Sequence, residues 1–185
     1  MPRDGGFYLF ESGKLIERIL LKISTIRACF SFKNDSHIEN ELIEAVLINH
    51  HLLIHYRQLY KSNFNLEAML DMIFLETKLP YSLAFQLDEL GRCLSELPKP
   101  SHTERLNLAQ KAVLQATMKI KLADVSQMVI FEQDTLYREN LDGLLAEVFD
   151  LILSVNNSLT NLYFTHTEIQ HSFLSSTENS SQNEI

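Results

Sequence analysis

The stretch Leu79–Pro98, LPYSLAFQLDELGRCLSELP, decides the fold class. Leu83, Phe85 to Leu87, Leu90 and Leu94 recur at helical spacing and build one apolar side. Pro80 is preorganised for a first helical turn, and Pro98 and Pro100 are stops. The stretch therefore predicts an amphipathic helix bounded by prolines, fourth in the chain.

The same periodicity extends in both directions. A first helix is predicted over 7–30, with Leu9, Ile16, Ile19, Ile23, Ile26 and Phe30 on one face. A second is predicted from Asp35 or Ser36 to Tyr60. Its inward row is Ile38, Leu42, Ala45, Asn49, Leu52, Tyr56 and Leu59, and Glu39 stands three residues after Ser36 as in a capping box. Asn65 caps a third helix over 66–76. Ser101 with Glu104 opens a fifth to about Ala123, with Ala109, Val113, Ala116 and Ile120 inward, small enough for close helix approach. After a less regular stretch over 124–134, a sixth helix runs over 135–165. No sustained period-two alternation suggests a strand. The expectation is an all-α fold, an up-and-down bundle of about six helices. Residues 1–6, with Asp4-Gly5-Gly6, read as a linker-like N-terminus, 7–168 as the helical domain, and 169–185 as a disordered polar tail.

Composition narrows the function classes. The 185 residues suit one domain. Only 5 Gly and 4 Pro occur, which favours long helices over a turn-rich sheet. With 16 Lys+Arg against 24 Asp+Glu, the formal charge is -8, and an acidic surface repels phosphate backbones. No nucleic-acid partner is expected. No apolar run has the length of a membrane span, so no membrane partner is expected, and a cytoplasmic setting follows by default. Cys29 and Cys93 match no metal or redox spacing and read as free thiols.

Chemistry is sparse. There is no phosphate-cradling glycine loop, and no GxSxG, HExxH or CxxC motif. No catalytic residue and no cofactor is assigned. His51 and His55 stand four apart on the expected second helix, with Glu44 two turns back, and form a weak metal-ligand pair. Tyr56, Arg57 and Tyr60 form a polar-aromatic group. Arg57 can grip a carboxylate such as Asp71, tying two helices together, or a phosphate.

These residues resemble a known family. Tyr56-Arg57-x-x-Tyr60, Leu70-Asp71 and Pro80-x-Ser82-Leu83-Ala84-Phe85-Gln86-Leu87 look like the central signature of the bacterial alpha-E domain. Gly13-x-x-x-Glu17-Arg18 looks like its opening motif, and Tyr163-Phe164-x-His166 resembles its closing segment. The matches are in order and span nearly the whole chain. The chain is shorter than a usual alpha-E domain. Leu79-Pro80-Tyr81-Ser82 stands where the family favours Asn-Pro-Arg-Ser, and Leu20 stands where a second Glu is expected.

The resemblance implies a helical domain found fused to, or encoded beside, circularly permuted ATP-grasp enzymes and transglutaminase-like peptidases. Three functions follow as expectations. One is a non-catalytic module acting with an ATP-grasp ligase or transglutaminase-like partner in peptide or amide-bond metabolism. Another is a small-ligand or peptide-binding enzyme with a site between the first, second and fourth helices. Glu17, Arg18, Tyr56, Arg57, Tyr60 and Asp71 would line that site, with Ser82 and Gln86 where the fourth helix begins. A metal-binding bundle using His51 and His55 is the third.

Overall fold

The computed structural model describes residues 4–61, 63–98, 105–132 and 135–164, and those residues form an all-helical fold. Eight helices occur among them: α1 (Gly5–Phe30), α2 (Ser36–Asn49), α3 (Leu53–Tyr60), α4 (Leu66–Leu75), α5 (Leu83–Ser95), α6 (Leu108–Lys121), α7 (Val125–Met128) and α8 (Glu139–Tyr163). The four longest packing surfaces close a ring in the order α1, α5, α6, α8. Gly5, Pro98 and Tyr163 meet at one end: a Cβ on Gly5 would lie 3.2 Å from Pro98, and the Tyr163 hydroxyl donates to the Pro98 carbonyl at 2.9 Å. At the other end Lys22 reaches Gln86, and Arg27 reaches Asp142. Gln110 donates to the Leu94 carbonyl while Lys121 pairs with Asp88. Neighbours in the ring are therefore antiparallel, which is the up-and-down arrangement. Helices α2, α4 and α7 pack over the end where α1 finishes and α5 begins.

Burial explains the ring. Ile16, Ile19, Ile23, Ile26 and Phe30 of α1 are buried, as are Leu87, Leu90 and Leu94 of α5 and Leu141, Leu145, Val148, Ile152 and Val155 of α8. Each fully buried aliphatic side chain contributes about 2 kcal/mol of transfer free energy. Ala109, Val113, Ala116 and Ile120 of α6 are buried as their spacing implies. The small residues among them let α6 approach α8 closely.

Several boundaries differ from the sequence-based expectation. Gly5 and Gly6 belong to α1: the Asp4 side chain accepts from the Phe7 N–H at 3.0 Å and caps the helix, which starts at Gly5 rather than Phe7. The expected second helix is two helices. At its break the Leu52 N–H bonds the Leu47 carbonyl at 2.7 Å, and the His51 N–H bonds the Ile48 carbonyl at 3.0 Å. That pairing is a Schellman stop, with His51 in the left-handed position (φ 59) usually held by glycine. The inward row changes accordingly. Ile43, Val46 and Leu47 are buried on α2, whereas Ile38 and Leu59 are exposed. Pro80 lies outside α5, because the Ser82 hydroxyl accepts from the Phe85 N–H at 3.1 Å and starts the helix at Leu83. Helix α6 opens later than expected, on a capping box between Asn107 and Gln110. The expected Ser101–Glu104 box and the 169–185 tail lie outside the described residues.

Two electrostatic ties join the end of α1 to the start of α8. Arg27 grips Asp142 through two hydrogen bonds of 2.8 and 2.9 Å, and the Ser31 hydroxyl donates to the same carboxylate at 2.8 Å. Arg138 is buried. It donates to the Phe30 carbonyl at 2.9 Å and the Val129 carbonyl at 3.2 Å, pairs with Glu39 at 2.6 Å, and lies 4.2 Å from the Phe131 ring centre.

Candidate functional site

The break between α2 and α3 creates the site. Ending α2 at Asn49 turns His50 and His51 toward α1 and the segment leading into α5. They face Arg18 and Lys22 across a cleft of about 290 Å³, closed by Tyr81 and Gln86. The His51 and Tyr81 rings lie 5.7 Å apart. Lys22 forms the floor and is 2% exposed. Its amine donates to the Tyr81 carbonyl and, at 3.0 Å, to Gln86 Oε1. Both acceptors are neutral, and no ion pair involving Lys22 occurs among the described residues.

Electrostatics follow from that burial. Lys22 is pushed down to about 7, first by loss of water and second by the Arg18 guanidinium. His50 is pushed down to about 4 by burial, then by Lys22 and His51. Its Nε2 is shielded from solvent and has no hydrogen-bond partner among the described residues. A second cleft of about 310 Å³ adjoins the first, since Arg18, Tyr81 and Gln86 line both. Its further walls include Phe7, Tyr8 and Phe85 and the charged residues Glu11, Glu89 and Arg92.

The residues expected to form one site are distributed among different places. Arg18 and Gln86 come together in the Lys22 cleft. Glu17 is exposed, one residue round the helix from Arg18. Ser82 is occupied as the α5 cap. Arg57 pairs with Glu44 at 2.6 Å rather than with Asp71, tying α3 to α2. Tyr56 is fully buried, its hydroxyl accepting from the Asn65 N–H at 2.9 Å and donating to the Asn63 carbonyl at 3.1 Å. Tyr60 and Asp71 line a separate cleft of about 500 Å³ with Asn65, Glu67 and Asp124. His51 lies outside any helix and His55 lies within α3, so the helical spacing that suggested a shared metal does not exist. Among the described residues no three His, Cys, Asp or Glu side chains are grouped to hold a metal ion.

Sequence reasoning missed Lys22 and His50. The available signal was a lysine three residues after Ile19 and directly before Ile23, on the buried face of α1. That position breaks the apolar pattern.

A ring of helices with a basic cleft at one end defines a helical domain. The chain belongs to the Alpha-E family, described as a predicted alpha-helical domain with a conserved ER motif, which matches residues 1–164. The chain has two Glu-Arg dipeptides, Glu17-Arg18 and Glu104-Arg105, and Arg18 is the arginine that lines the cleft. Similar curated proteins include the uncharacterized protein Rv2567 of Mycobacterium tuberculosis (strain H37Rv) and the uncharacterized protein Mb2597 of Mycobacterium bovis. Each is 25% identical over 162 residues, covering 88% of this chain. The chain spans 17% of the length of those relatives. No solved structure matches. Among the described residues no helix is long and apolar enough to cross a membrane.

Proposed function

We propose that this domain is a non-catalytic helical module that acts in the cytoplasm beside an ATP-grasp ligase or a transglutaminase-like protein, in peptide or amide-bond metabolism. The observation that carries the reading is the apolar groove between α6 and α8. Leu114 and Met118 on α6 are exposed there beside Leu151 of α8. Lys119 and Glu147 form a charged pair within the lining. An exposed apolar strip with a polar border is the common form of a protein-docking surface. In the mycobacterial relatives the matched segment is 17% of a much longer polypeptide, so there it stands beside further chain. The partner class itself comes from the family resemblance.

The test is co-expression of the tagged chain with each ATP-grasp and transglutaminase-like protein of its own genome, followed by size-exclusion chromatography. Co-elution with one of them, lost in Leu114→Glu and Met118→Glu, supports the reading. Elution alone in every pairing contradicts it.

A further inference from the structure

Among the described residues, the lining of the Lys22 cleft holds donors and no acid, and Glu11 and Glu89 line the adjoining cleft instead. The ionisable groups facing the Lys22 cleft are Arg18 and Lys22 on α1, His50 and His51 in the α2–α3 turn, and Tyr81 before α5. None is a carboxylate, although the chain carries a formal charge of -8. A buried amine is stable as an ammonium only beside a counter-charge. Lys22 has two neutral acceptors instead, and one hydrogen-bonding direction remains. His50 lines the same space, with its Nε2 shielded from solvent. The apolar packing of α1 does not call for a lysine here, since an apolar side chain at position 22 would continue the buried row of Ile19, Ile23 and Ile26.

We propose that this cleft is an oxyanion-binding site, in which Lys22 on the floor and Arg18 at the mouth hold a carboxylate or phosphoryl group of a small ligand. The bound oxyanion supplies the counter-charge that the protein omits. The empty cleft keeps the amine largely neutral at pH values above about 7. Ligand binding therefore takes up a proton at Lys22, and affinity weakens as pH rises. The site works whether or not a protein partner docks on α6 and α8, since the two surfaces use different residues.

The experiment uses the full chain with three probes at matched ionic strength: sodium phosphate, sodium acetate and sodium chloride. Thermal melts and calorimetric titrations are run on the wild type, Lys22→Met, Arg18→Gln and the control Arg57→Gln. Phosphate or acetate is expected to raise the melting temperature beyond the chloride response, more at acidic than at alkaline pH. A response to phosphate alone identifies a phosphoryl ligand, and a response to acetate alone identifies a carboxylate. Apparent affinity should fall about tenfold or more in Lys22→Met and Arg18→Gln and hold in Arg57→Gln. Arg18 is exposed, so its variant keeps the test valid even where Lys22→Met folds poorly. Responses no larger than chloride with both oxyanions would overturn the proposal. So would full retention in Lys22→Met and Arg18→Gln.

Discussion

Lys22 Nζ donates to Gln86 Oε1 at 3.0 Å from a position that is 2% exposed, with no carboxylate paired to it among the described residues. The pair joins α1 to α5 at the end of the bundle covered by α2 and α4. It is a costly join. The lysine is held near 7 against an ordinary 10.5, so across that window the unfolded chain binds more protons than the folded one. Stability therefore rises with pH from about 7 to 10.5, and the full penalty, at most ~5 kcal/mol, is present below about pH 7.

Lys22→Met removes that penalty but leaves the Tyr81 carbonyl and Gln86 Oε1 without their donor, at a cost of about 1–3 kcal/mol. The variant should be more stable than wild type at about pH 6 and lose that advantage toward about pH 10. Urea unfolding at the two pH values checks this. A Lys22→Met curve parallel to wild type across the range would contradict it.

His51 sits at φ 59 as the left-handed residue of the stop between α2 and α3. A side chain there costs about 1 kcal/mol that glycine does not incur. His51→Gly should stabilise the fold by about that amount, minus the lost contact with the Tyr81 ring. Denaturant midpoints measure it, and clear destabilisation would show that the imidazole holds the turn.

Asp142 is held well below the usual carboxylate range, chiefly by the Arg27 guanidinium and also by Tyr137 and Ser31. Its contribution is fully present above the unfolded carboxylate value and is lost as pH falls through the depressed folded value. Acid unfolding of the wild type should therefore steepen below about pH 4. Asp142→Asn should cost about 2 kcal/mol at neutral pH and flatten the acid limb. Circular dichroism against pH separates the two chains.

Arg138 is buried, and its partner Glu39 is mostly so, with side-chain exposures of 4% and 22%. Removing the arginine strands Glu39 and the Phe30 and Val129 carbonyls. Arg138→Met should cost about 3–5 kcal/mol. Arg57→Ala, by contrast, breaks the exposed pair with Glu44 and should cost under about 1 kcal/mol. Parallel melts of the two variants test the ranking.

The fold class was legible because burial period is a local property. The rows on α1 and α6 project inward as their spacing implies. The break at His50 to Leu52 was not legible, since no glycine or proline marks it and the stop is made by backbone hydrogen bonds around a histidine. Leu52 and Tyr56 are buried as their row implies, whereas Arg57 pairs with Glu44 across the break rather than with Asp71. The break also hid the cleft, because His50 and His51 reach Lys22 only once α2 ends. Ser82 stands in the family signature, and its hydroxyl is engaged as the α5 cap. Arg138 and Asp142 carried no local signal, as their partners on α1 and α2 are 99 to 115 residues away.

The most direct measurement is an NMR titration of the Lys22 side-chain amine, using carbon-labelled lysine and assignment by Lys22→Met, with and without phosphate or acetate. An amine that titrates near 7 in the free protein and moves upward when the oxyanion is added is the expected result. An amine that titrates at its ordinary 10.5, unmoved by either anion, would contradict the assignment of this cleft as a functional site.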